Sequence, residues 1–118
     1  MQDLESRNVI CGANAYEKKY YFNEKYNNLP DSIKEELRII CVLFTEEIGG
    51  VFTLEFDEDG GVEIVTDADE HDYLYDEIGS GLLVGEIRRN RQELFEALST
   101  YYKVLILKQS PDDILSEE

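Results

Sequence analysis

Val51-Phe52-Thr53-Leu54-Glu55-Phe56-Asp57, then Glu58-Asp59-Gly60-Gly61 and Val62-Glu63-Ile64-Val65-Thr66, is the stretch that decides the fold. Phe52, Leu54 and Phe56 alternate with Thr53, Glu55 and Asp57, the period-two pattern of a half-buried strand with one apolar face. The acidic turn carries two glycines able to take positive φ, and a β-branched run returns from it, so the stretch predicts an antiparallel hairpin. Two strands are marginal alone, so a third strand or a helix must cover the aromatic face.

Upstream, Ile33, Leu37, Ile40, Cys41, Phe44 and Ile48 recur at spacings of three and four, which predicts a helix from Pro30 toward Ile48. Pro30 suits its first turn, Asp31, Glu35 and Glu36 sit near its positive end, and Gly49-Gly50 can stop it. Ile39, Val42 and Leu43 widen the apolar stripe, so the second half is expected in the core or at a subunit contact. Nearer the N-terminus, Val9-Ile10-Cys11 can open a strand, and Tyr16 to Phe22 reads as extended chain without a clean period.

Downstream, Thr66 to Asp69 resembles a helix start, Leu74 and Ile78 would share a face of that short helix, and Gly79-Ser80-Gly81 reads as a break. From Leu83, the spacing of Ile87, Leu94, Leu98, Tyr101 and Tyr102 predicts a long second helix through Lys103. Val104-Leu105-Ile106-Leu107 fits a helix end or a third strand equally. The fold class expected is α+β: a small single domain over residues 9–108, with an antiparallel β-hairpin or small sheet packed against two main helices. Residues 1–8 are expected to be a flexible N-terminus and residues 109–118 an acidic tail.

The 118 residues hold 27 acids against 11 Lys and Arg, a net charge of −16. Such a chain is not expected to bind nucleic acid or an anionic membrane. The interval from Ile39 to Ile87 has 14 acids and no Lys or Arg, whereas the remaining residues carry 13 acids and 11 bases. Nearly all the negative field thus belongs to the hairpin and its flanks, which are expected to make one acidic face. No apolar run is long enough to span a bilayer and the first residues do not read as a secretion signal, so a cytoplasmic protein is expected. Cys11 and Cys41, thirty positions apart and outside any CxxC pair, are expected as reduced, partly buried thiols.

Each candidate site has a plainer competitor. Asp69, His71, Asp72 and Asp76 are ligand types for a divalent cation, and on a helix Asp69, Asp72 and Asp76 would share a face. The alternative is an acid-capped helix start, and no cofactor is predicted. A calcium loop begun at Glu55 fails, since its twelfth position is Thr66. Gly79, Ser80 and Gly81 precede a predicted helix where free amides can hold a phosphate with help from Arg88, but neither GxGxxG nor GxSxG is complete. A dyad of His71 with Cys11 or Cys41 has no spacing in its favour. Tyr16, Tyr20, Tyr21 and Phe22 interleave with lysines, and read better as an interface with a protein partner or a second copy than as a base-stacking platform.

Cys11-Gly12-Ala13-Asn14-Ala15-Tyr16, Lys19-Tyr20-Tyr21-Phe22-Asn23, Phe44-Thr45-Glu46-Glu47-Ile48-Gly49-Gly50, Leu54-Glu55-Phe56-Asp57 and Asp76-Glu77-Ile78-Gly79-Ser80-Gly81 resemble a family of small proteins, a domain of unknown function, from anaerobic gut Firmicutes. The resemblance spans Val9 to Leu107 and implies no activity, cofactor or catalytic residue. Three functions remain open. The first is a small acidic interaction or regulatory module that self-associates as a homodimer. The second is a metal-dependent or phosphate-handling enzyme using the Asp69 to Asp76 segment. The third is a DNA mimic whose acids occupy a basic protein.

Overall fold

A computed structural model describes residues 8–105, and the expectations for residues 1–7 and 106–118 lie outside them. The expected hairpin is formed by Val51–Phe56 and Val62–Asp67. The Asp57 carboxylate accepts from the amides of Asp59 and Gly61, both at 2.8 Å, and Gly60 takes a φ of 91°. The acid at Asp57 therefore folds the turn from within.

The covering strands come from the N-terminal third. β1 (Val9–Asn14) and β2 (Lys19–Phe22) form a second hairpin, and with β3 (Val51–Phe56) and β4 (Val62–Asp67) they make a four-stranded antiparallel sheet in the order β2-β1-β3-β4. Asn14 shapes the first turn by accepting from the amides of Tyr16 and Glu17. A register shift between Val9 and Cys11 lets both Ile10 and Cys11 enter the core, as one extra residue in a bulge does. β3 is buried on both faces, Thr53 and Glu55 included, where a half-buried strand was expected. The reason is its central place, paired on one side with β1 and on the other with β4.

α1 (Asp31–Glu47) follows a short 3-10 helix at Glu24–Tyr26 and starts directly after Pro30. Leu37, Ile40, Cys41 and Phe44 are its buried stripe, and the Phe44 ring lies 4.6 Å from that of Phe52 on β3. Burying a side chain of this size contributes about 1.5–3 kcal/mol. The helix ends where Gly49 and Gly50 adopt φ of 97° and 71°. A Cβ on Gly50 would stand 2.5 Å from the Asp67 carbonyl oxygen, so glycine is required there.

The C-terminal half departs from expectation in two places. Residues 68–76 form a loop of turns rather than a short helix, and α2 (Glu77–Asn90) begins at Glu77, so Gly79-Ser80-Gly81 lies inside the helix instead of breaking it. Asp76 sets this start by accepting from the Gly79 amide at 2.9 Å. The single long helix is two: at Arg91 the backbone leaves helical geometry, with φ −116° and ψ 24°, and α3 (Gln92–Leu105) follows. Val104 and Leu105 are therefore helical. Leu94, Leu98 and Tyr102 close the core, with the Tyr102 ring 4.5 Å from Phe56 and the Tyr26 ring 5.3 Å from the same phenylalanine. The molecule is an α+β domain with helices on one face of an antiparallel sheet.

Candidate functional site

The 68–76 loop is held by its own acids. Asp69 accepts from the His71 amide at 2.8 Å, and Asp72 accepts from the Leu74 amide at 3.2 Å. Tyr16, reaching across from the β1–β2 turn, donates its hydroxyl to Asp72 at 2.7 Å and accepts from the Asp69 amide at 2.9 Å. The Asp72 bond holds the Tyr16 phenol above its ordinary pKa, because ionising it would break that bond beside a carboxylate. Tyr75 turns inward, its hydroxyl donating to buried Ser80 at 2.9 Å and its ring edge lying against Gly50. With Tyr75 anchored, the neighbouring Tyr73 and Leu74 stand outside.

In the chain they precede an exposed stripe on α2. Ser80, Leu83, Val84 and Ile87 face the rest of the protein, whereas Ile78, Leu82, Gly85 and Arg89 follow one another at spacings of four, three and four along the outer side. Tyr73 is 87% exposed, Leu74 94%, Ile78 79% and Leu82 70%. Single exposed leucines are ordinary, but four large apolar side chains in one run of ten residues form a patch of the kind that marks an interaction surface. The sequence offered a signal for it. Ile78 and Leu82 lie across α2 from Leu83, Val84 and Ile87, so its apolar residues point two ways and call for a second covering surface, yet the Leu74 to Ile78 spacing by itself fits one face of a short helix.

The residues singled out from sequence are placed as follows. Asp69, Asp72 and Asp76 spend carboxylate oxygens on the amides of His71, Leu74 and Gly79, because short acids in turns bond nearby backbone. His71 lies exposed, with Nε2 3.4 Å from Glu70. Among the described residues, no three His, Cys, Asp or Glu side chains gather in a group able to hold a metal ion. The Gly79 amide meets Asp76 and Ser80 is buried under Tyr75, so an acid already occupies the helix start where a phosphate would sit. Arg88 is two turns further on, 3.5 Å from the Val62 carbonyl oxygen.

Tyr16, Tyr20, Tyr21 and Phe22 are divided by strand alternation. Tyr20 and Phe22 pack on the core, while Tyr21 and Tyr16 are exposed. Tyr21 lines a groove of about 910 Å³ on the sheet face opposite the helices, together with Gly12, Thr53, Glu55 and Val65. The Cys11 and Cys41 sulfurs are 3.7 Å apart and fully enclosed between β1 and α1, away from the exposed His71. Their mutual hydrogen bond and burial push the Cys41 thiol well up, and burial with the two neighbouring thiols does the same for Tyr20. Cys41 and Tyr20 are therefore held in their protonated, unreactive forms.

The acids expected to make one face are split. Asp57, Glu58 and Asp59 occupy the β3–β4 turn, whereas Asp69, Glu70, Asp72 and Asp76 lie in the loop at the other end of β4. Among the described residues, no helix is long and apolar enough to cross a membrane. The model of a family of unknown function (DUF6145) matches residues 7–110. No curated protein and no solved structure matches the chain.

Proposed function

The chain belongs to the DUF6145 family, whose function is unknown, and we propose that it is a small acidic interaction module that binds a protein through the Tyr73, Leu74, Ile78 and Leu82 patch. The observation that carries this reading is the 70–94% exposure of those four side chains, two in the loop before α2 and two on its first turns, which Asp76 caps. Leaving a leucine or isoleucine in water forgoes about 1.5–3 kcal/mol each, a cost that a partner covering the patch removes. The net charge of −16 supports a protein partner over nucleic acid or an anionic membrane. The unlinked thiols of Cys11 and Cys41 fit a reducing, cytoplasmic setting.

The test is a photoreactive side chain placed at Leu82 and, separately, at Glu58 in the far turn, followed by irradiation of cells that make the protein. Protein adducts at position 82 and none at position 58 are expected. An unmodified band at position 82 overturns the reading.

A further inference from the structure

We infer that the partner is a second copy of this chain, docked α2 against α2 about a two-fold axis with the helices antiparallel; this rests on the interaction reading above. Charge is the first argument. Two chains of net charge −16 repel, so self-association needs a surface on which that charge is locally cancelled. α2 provides it, with Glu77 and Glu86 matched by Arg88 and Arg89. Residues 39–76, by contrast, contain no Lys or Arg at all.

Polarity along the helix fixes the orientation. α2 has acids at its start, Asp76 and Glu77, and bases in its last turn, Arg88 and Arg89. A parallel pair would set like charges side by side. An antiparallel pair about a two-fold axis brings Arg89 of each copy beside Glu77 and Ile78 of the other, and the same residues serve both sides of an isologous contact. Leu82 of each copy then sits over Gly85 of the other at the apolar centre, with Ile78 beside Arg89 at either edge.

Shape agrees with charge. On the same side of α2, a Cβ at Gly81 would meet nothing within 4 Å, and at Gly85 only the end of the Arg89 side chain at 3.4 Å. Both glycines thus leave open space into which Leu82 of the other helix can settle.

Sedimentation equilibrium of the full chain from about 1 to 100 μM tests the inference. A mass twice 13.7 kDa is expected at the upper end. Leu82→Glu should give a monomer with an unchanged circular dichroism spectrum, because the side chain it replaces is mostly in water. Glu77→Arg and Arg89→Glu should each weaken the dimer by about tenfold, and the double exchange should recover most of the loss. A wild-type monomer at 100 μM overturns the second copy as partner, and so does a dimer indifferent to Leu82→Glu or a double exchange that adds the two losses. Adducts at position 82 with a different protein would leave the interaction reading standing while removing this inference.

Discussion

Tyr26 is enclosed by Phe56, Tyr101 and Tyr102, and its buried hydroxyl has no hydrogen-bond partner among the described residues. Burial, followed by the neighbouring tyrosines, pushes its pKa up to about 12, against about 10 for an ordinary tyrosine. Folding therefore favours the protonated phenol. The stability this confers is complete below pH 10 and is lost as pH rises from about 10 through 12. Tyr26→Phe keeps the ring contacts and removes an unpaired polar atom. It should leave stability at pH 7.5 equal or raise it by about 1 kcal/mol, and should flatten the alkaline decline. Urea titrations at pH 7.5 and pH 11 read both effects; a loss above about 1 kcal/mol at pH 7.5 would show that the hydroxyl is paired after all.

At the scale of elements, α2 depends on one carboxylate. Asp76→Ala removes the acceptor for the Gly79 amide and should cost about 1 kcal/mol, while Asp76→Asn retains an acceptor and should cost only a few tenths. Thermal unfolding and hydrogen exchange of the α2 amides check this, and equal losses in the two variants would contradict the capping role. α1 and the β3–β4 hairpin were legible in the sequence because each combines a clear period with glycine punctuation at Gly49-Gly50 or Gly60-Gly61. The start of α2 was not, since Asp67, Asp69, Asp72 and Asp76 are all competent caps and only tertiary anchoring by Tyr16 and Tyr75 selects the last. The bend at Arg91 also left no trace. Ile87 and Leu94 are seven apart, two full turns, so the apolar spacing is the same with or without it.

For the whole molecule, the charge count was legible but its distribution in space was not, because a six-residue strand separates the turn acids from the loop acids. The patch on α2 stayed hidden for a related reason: sequence spacing reports that a face is apolar, not whether anything covers it. The tyrosine group misled in the opposite direction, since the pairing of β2 with β1 turns Tyr20 and Phe22 inward. Sheet order has a consequence in time. β1–β2 and β3–β4 are neighbours in sequence and close over short turns, but the central β1–β3 pairing must join Cys11 to Leu54 across the whole of α1. Long loop closures are the slow events of folding, so the two hairpins should form early and wait for each other. Cys11→Ala, at that seam, should slow refolding, whereas Leu98→Ala on α3 should chiefly speed unfolding, as stopped-flow chevrons of the two variants would reveal. If Leu98→Ala slowed refolding as much, the last helix would belong to the nucleus. Otherwise α3 packs on the sheet only after the two hairpins have joined, and Leu98 and Tyr102 are the last side chains to reach the core.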